Sequence, residues 1–296
     1  PRIQVSLFSI LEEKEIQIRG FKVRLPLDIQ FIFTSNPEDY TNRGTIVTPL
    51  KDRIGSQILT HYPESIEIAK QITEQESRLN SQVVSKIHIP EIARDIIEQI
   101  SFEARESDLI DKKSGVSARM SITSLQNLVS SAERRMIINN EKQTSIRMSD
   151  FNSVISSING KVELVYEGEE EGAEQVSYNL ISDAVKSLFN KYFPKIEKLS
   201  KPDEETPYDS LLEWFTQKQL IIGDNLKNNE YEELLIEIID ARTIIDKYVK
   251  DLDDNDKFFF IEFILWGLES FNKLSILRTN NGIEFKDPFN NFINKI

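Results

Sequence analysis

The chain is predicted to be mostly α-helical, with a partial α/β portion at its N-terminal end. Three observations predict this. From Pro63 onward, apolar residues recur at helical spacing over most of the sequence. Alternating and continuous apolar runs, the marks of strands, are concentrated in residues 15–34. The charge is also divided: residues 1–150 hold 20 Lys+Arg against 21 Asp+Glu, and the remainder 16 against 28, within a net charge of −13.

Taken in order, Val5 to Leu11 has the spacing of a helix end. Glu15 to Arg19 and Phe21 to Leu25 alternate on either side of Gly20, which predicts a short β-hairpin. Pro26 ends its second strand. Ile29 to Thr34 is nearly continuous in apolar residues, as expected of a strand buried on both faces of a parallel sheet. Pro63 opens a helix running to about Asn80, and Pro90 suits the first turn of the next. That helix carries Ile92, Ile96 and Ile100 on one stripe. Ser117 is placed to cap a helix whose inner face is Ile122, Leu125, Val129, Ala132 and Met136. Ser149 caps a short helix ending at Gly160. Val162 to Tyr166 has strand character, and the acidic run Glu167 to Gly172 reads as a loop. Beyond it the stripes Val176/Leu180/Ala184/Leu188, Leu211/Trp214/Phe215, Leu234/Leu235/Ile238/Ile239 and Phe260/Ile264/Leu268 predict helices throughout, with Pro202 and Pro207 as breaks. The expected organisation is therefore an α/β portion at 1–84, a helical bundle at 85–160, an acidic linker at 161–175 and an acidic all-helical domain at 176–296.

Composition excludes several classes of function. With no cysteine there are no disulfides and no thiolate metal sites, and with His61 and His88 as the whole histidine complement a His-built zinc site is not expected. An acidic C-terminal half repels phosphate backbones, so no nucleic-acid partner is expected. The longest apolar run, Phe258 to Leu268, is too short to span a bilayer and contains Glu262 and Gly267, so it reads as a buried helix. No membrane partner and a cytoplasmic location are the corresponding expectations. Asp251, Asp253 and Asn255 with Glu262 at the twelfth position mimic a calcium loop. The sixth position holds Asp256 where the sharp turn needs Gly, and an acidic helix start is the better reading.

The segments that carry chemistry are Phe31-Ile32-Phe33-Thr34-Ser35-Asn36-Pro37 and, after a loop, Leu50-Lys51-Asp52-Arg53-Ile54-Gly55. A polar amide at the tip of a buried strand is able to orient the water that attacks a γ-phosphate. Asn-Pro is equally a plain strand-ending turn. An arginine at a subunit edge is able to reach a neighbour's γ-phosphate with a fork of donors, whereas an exposed Asp-Arg ion pair in a loop contributes little. Gly115-Val116-Ser117-Ala118-Arg119 sets a third cation at the start of an amphipathic helix, where it opposes the helix dipole unless it has a further role.

Together these segments resemble the AAA+ ATPases, and within them the magnesium-chelatase and MoxR-like branch. The resemblance covers residues 1–160. It implies that residues 1–84 are the second half of an AAA+ core and residues 85–160 its helical lid, followed by the additional all-helical domain. It implies sensor 1 at Asn36, an arginine finger at Arg53 held by Asp52, and sensor 2 at Arg119 in contact with ATP. It makes 15–25 a hairpin that turns Arg19, Lys22 and Arg24 toward a ring's pore or a partner. It also implies ATP and Mg2+ as cofactors of the intact protein, and a homo-oligomeric ring, a hexamer, with a von Willebrand A-domain protein as a further partner. No G-x-x-x-x-G-K-[ST] phosphate loop occurs in these 296 residues, and the one Gly-Lys pair, Gly160-Lys161, runs into Val162. The chain is accordingly expected to be the C-terminal part of a longer nucleotide-driven machine, inactive by itself. The functional expectation is an ATP hydrolase that remodels a protein or assists metal chelation. A non-catalytic helical interaction module is the alternative.

Overall fold

The structure, a computed structural model, describes residues 7, 10–11, 14–24, 30–34, 48–196, 206–250, 252–279 and 281–288. Backbone contacts divide the chain into Pro1–His61 and Tyr62–Ile296, and each unit is described by itself.

In the first unit, β1 (Glu15–Ile18) and β2 (Phe21–Arg24) pair antiparallel, with Glu15 opposite Arg24 and Ile18 opposite Phe21. Arg19 and Gly20 both have positive φ, 49° and 89°, the backbone of a type I′ turn that matches the strands' twist. The hairpin is where the alternation around Gly20 predicts it. A single turn of helix, α1 (Thr48–Lys51), follows. Ile29 lies outside the described residues, and the buried strand expected at 29–34 is not found in the described part, residues 30–34. Gln30 to Thr34 belong to no strand, and Ile32 is 82% exposed. Phe31 and Phe33 stack on one side with ring centroids 6.2 Å apart, so side chains alternate as in a strand, but no ladder neighbours them. A doubly apolar strand needs partners on both edges and cover on both faces. The described part of this unit offers one hairpin.

The second unit is helical. Its elements are α2 (Ile66–Glu76), α3 (Ser81–Val84), β3 (Ile87–His88), α4 (Glu91–Glu106), α5 (Arg119–Ile138) and β4 (Thr144–Ser145). A 3-10 helix (Met148–Val154), α6 (Ile155–Asn159), α7 (Tyr166–Glu171) and α8 (Ala173–Tyr192) follow. The last elements are α9 (Asp209–Gln217), β5 (Leu220–Gly223), α10 (Asn228–Ile236), α11 (Ile239–Tyr248), α12 (Lys257–Ser270), β6 (Ser275–Thr279) and β7 (Gly282–Lys286). The stripes at 92/96/100, 125/129/132/136 and 176/180/184/188 are buried as their spacing requires, while Ile122 is half-buried and Ile239 exposed. The capping reading at Ser117 shifts: α5 starts from Ala118 without a side-chain cap. At the 3-10 helix, Asp150 rather than Ser149 supplies the side-chain acceptor, taking the buried Arg147 N–H at 2.8 Å.

Three expectations about organisation are corrected. No boundary falls near residue 160 or 84. Helix α8 packs on α4 and on α12, and one hydrophobic core runs from Ile87 to Phe285. Charge asymmetry is a property of surfaces, and domain limits follow cores. The interval 161–175 is not a linker: Leu164 bridges Ile110, α7 occupies Tyr166–Glu171, and Gly168 lies so close to Leu109 O that a side chain would not fit. Residues 176–296 are not all helical either. They contain a sheet of order β5-β7-β6, antiparallel throughout, with Leu220 opposite Phe285 and Ile222 opposite Ile283. Four- and five-residue strands give too short a period to separate from a helix fragment.

Helix α12 is buried without a break from Phe259 to Leu268, as the apolar run predicts. Its closest neighbour is α8, and Gly267 permits the approach: a Cβ there would run into the ring of Phe189. Phe189 is itself wedged among Phe193, Phe263 and Tyr208, at centroid distances of 5.0, 5.9 and 5.9 Å. Gly267→Ala is expected to destabilise the protein by about 1–3 kcal/mol in urea unfolding. The better helix propensity of alanine pulls the other way by about 1 kcal/mol. An unchanged or raised midpoint would mean that Phe189 repacks freely.

Candidate functional site

The residues singled out from the sequence fall into three places. Asn36 lies outside the described residues. Asp52 and Arg53 leave α1 through overlapping turns, with Asp52 N–H donating to Thr48 O, Arg53 N–H to Leu50 O (both 3.1 Å) and Ile54 N–H to Lys51 O (3.2 Å). Leu50 is buried and anchors the turn, and the side chains of Asp52 and Arg53 are both exposed. On the hairpin, Glu15 attracts Lys22 at 3.4 Å and Arg24 at 3.5 Å, and Arg19 occupies the turn. Both cationic side chains are largely exposed, so the pairs add little to stability.

Arg119, in the second unit, is the exposed first residue of the 20-residue helix α5. The loop before it is fixed by its own chemistry. Gly115 has a φ of 68°, and a Cβ there would collide with the Tyr62 hydroxyl. That hydroxyl accepts the Val116 N–H at 3.0 Å. The Arg105 guanidinium lies over the Tyr62 ring at 4.3 Å, and its Nε–H reaches Val116 O at 3.4 Å. Burial lowers the pKa of Arg105. Sequence reading finds Gly115 and Arg119 but not Tyr62 or Arg105, which lie 53 and 10 residues before Gly115.

A second constellation adjoins a cleft of about 530 Å³ between β3, β4, α10 and the start of α12; Thr144, Ser145, Arg147, Asn228 and Tyr231 line the cleft, and Arg135, Asp150 and Glu262 stand behind that lining. Arg135 on α5 is buried. It donates to Asp150 Oδ2 (2.8 Å), Thr144 Oγ1 (2.8 Å) and Ser145 O (2.9 Å). Arg147 is also buried, but it bonds to neutral acceptors, Leu226 O at 3.0 Å and Asn228 Oδ1 at 3.1 Å, and lies 4.0 Å over the Tyr231 ring. Burial, with Arg135 adding its charge, pulls the pKa of Arg147 down to about 10. Tyr231 Oη–H donates to Glu262 Oε2 at 2.8 Å, and Met148 N–H to the same oxygen at 3.1 Å; Glu262 Oε1 is buried with no hydrogen-bond partner among the described residues. Glu262, at the twelfth position of the calcium-loop mimic, thus faces the core. At the rim, His88 Nε2 meets Asp256 Oδ1 at 2.6 Å. The sequence carried a signal for two of these residues: a charge inside an apolar stripe at Arg135, and one inside an apolar run at Glu262. For Arg147, Asn228 and Tyr231 it carried none.

The fold and these sites define a mostly helical protein with small sheets. Comparison of the chain with protein-family models, with curated proteins and with solved structures finds no match. Among the described residues no helix is long and apolar enough to cross a membrane, and no three His, Asp or Glu side chains are grouped to hold a metal ion.

Burial raises the pKa of Glu262 from 4.5 to about 7, against the Tyr231 hydrogen bond and the charge of Arg147, which lower it. The folded protein therefore holds a proton that the unfolded chain has released. The stabilisation from Glu262 is full below its unfolded pKa and is lost as pH rises through its folded one. Glu262→Gln, which keeps the shape of the protonated form, is expected to gain stability relative to the wild type between about pH 5 and pH 8, on the order of 3 kcal/mol. Urea unfolding of both proteins at the two pH values measures this. A difference that does not change with pH would mean the carboxyl titrates as it does in the unfolded chain.

Proposed function

We propose that this chain supplies the sensor and arginine-finger half of a ring-forming AAA+ ATPase of the magnesium-chelatase and MoxR-like kind, which uses ATP to remodel a protein partner or assist metal insertion. The observation that carries this reading is the presentation of Arg119. A cation at the start of a helix is unfavourable with the dipole, yet Tyr62, Arg105 and Gly115 together hold the loop that puts it there. The exposed Asp52-Arg53 turn after α1 is compatible with a finger offered to a neighbouring subunit.

The residues of this chain do not by themselves fit a nucleotide. There is no phosphate loop, and among the described residues no three His, Asp or Glu side chains are grouped to hold a metal ion. Their share is electrostatic: Arg53 stabilises charge developing on the neighbour's transferring phosphoryl group, and Arg119 couples the phosphates of its own subunit to the helical unit. The absence of a phosphate loop favours a second reading, a non-catalytic helical interaction module.

In the intact protein, Arg53→Ala is expected to lower ATP turnover by on the order of 10³-fold or more while leaving nucleotide binding intact. Arg119→Ala should weaken both. Turnover within about twofold of wild type in Arg53→Ala, set against fingers of the size known for such sites, would favour the interaction module. The isolated chain should give no saturable heat with magnesium-ATP in calorimetry, because the backbone donors and lysine of a phosphate loop are missing. Saturable binding would relocate the nucleotide site within these residues.

A further inference from the structure

We propose that the cleft walled by Arg147 binds a small organic carboxylate. The inference does not rest on the ATPase reading. Arg147 is 2% exposed. A cation so far removed from water is costly to hold unless a carboxylate lies against it. Here none does: among the described residues Arg147 forms no ion pair. Asp150 and Glu262 act on it through space, but the first is bonded to Arg135 and the second to Tyr231 and Met148. Instead the fold grips the guanidinium with a peptide carbonyl, a side-chain amide and an aromatic face. Those groups fix its orientation at the wall of a cleft without placing a carboxylate in contact with the guanidinium.

The cleft suits an anion of this kind. Its volume of about 530 Å³ falls within the range of about 300–1,000 Å³ usual for small-molecule sites. Lys86 stands exposed on its lining, and Phe258 and Phe259 in the first turn of α12 line it too. That helix runs for 14 residues, and the positive end of its dipole therefore lies at the cleft. A planar carboxylate matches the edge of a guanidinium fork. A phosphate is less well served: Glu232 and Asp254 share the lining, the chain carries a net −13, and no glycine-rich loop of amides is present. The same two acids give a ligand with a cationic or hydroxyl group at its far end something to meet.

Calorimetric titration of the whole chain with succinate tests the proposal, with inorganic phosphate as a second arm. Succinate should bind saturably and more tightly than phosphate. Lys86→Glu, at an exposed position that leaves the core untouched, should weaken succinate by about tenfold or more. Arg147→Gln, which keeps a hydrogen-bonding amide, should abolish binding; should that variant fail to fold by circular dichroism, Lys86→Glu alone decides. Absence of saturable succinate binding overturns the site. Phosphate binding tighter than succinate overturns the carboxylate assignment. Unchanged succinate affinity in Lys86→Glu places the anion elsewhere and overturns the proposal.

Discussion

The helical unit hangs on the buried pair of Arg135 and Asp150, 2.8 Å apart, with side chains 2% and 5% exposed. Asp150 takes three donors: the Arg135 guanidinium, the Arg147 N–H, and the Ser131 hydroxyl at 3.0 Å. Arg135 in turn holds the chain at Thr144 and Ser145, the two residues of β4. Such a pair adds little stability over an apolar replacement, because desolvation consumes the Coulombic gain. What it does is permit few alternatives. Either partner without the other is an uncompensated buried charge, so the course of the chain from α5 through β4 to the 3-10 helix is fixed. The register of β3 with β4, Ile87 against Thr144 and His88 against Ser145, follows from it.

Three cations in this unit form a series. Lys70 has two carboxylates, Glu91 and Asp95, each at 2.6 Å; burial opposes its charge, but hydrogen bonds to Asp95 and Glu91 outweigh that and push its pKa up. Arg135 has one carboxylate. Arg147 has none in contact and is shifted downward. The first two are structural, with their electrostatics closed within the fold. The third is open, and its openness coincides with a cleft. Glu262 stands beyond Tyr231, behind the lining of the cleft, as a carboxyl whose pKa burial raises to about 7.

Legibility followed the range of the interactions. The β1–β2 hairpin was readable because its signal is local, an alternation interrupted by Gly20. The longer helices were readable because burial of a stripe repeats every turn, and α12 because between Phe258 and Leu268 no charge but Glu262 interrupts it, whereas α7, which has no apolar stripe, was read as a loop. The sheet β5-β7-β6 was not, since Leu220 and Phe285 meet across 65 residues and each strand is too short to declare a period. The continuous apolar run at Phe31 to Phe33 shows the opposite limit: composition states what a segment would bury, and partners decide whether it does so. The cleft was invisible because Arg147, Asn228 and Tyr231 become neighbours only when α10 folds beside β4.

Tyr62 is the first residue of the helical unit, and its hydroxyl holds the Val116 amide three residues before Arg119. The chain therefore enters this unit through a tether to the loop that presents the cation, before any turn of helix has begun. In mechanical terms the loop lies first on the load path. Tension applied to the backbone ahead of Tyr62 reaches Val116 through one aromatic side chain, with the Arg105 guanidinium lying against that ring as a brace. The point where the chain enters the helical unit and the loop that presents Arg119 thus share one fastening, the Tyr62 hydroxyl on the Val116 amide.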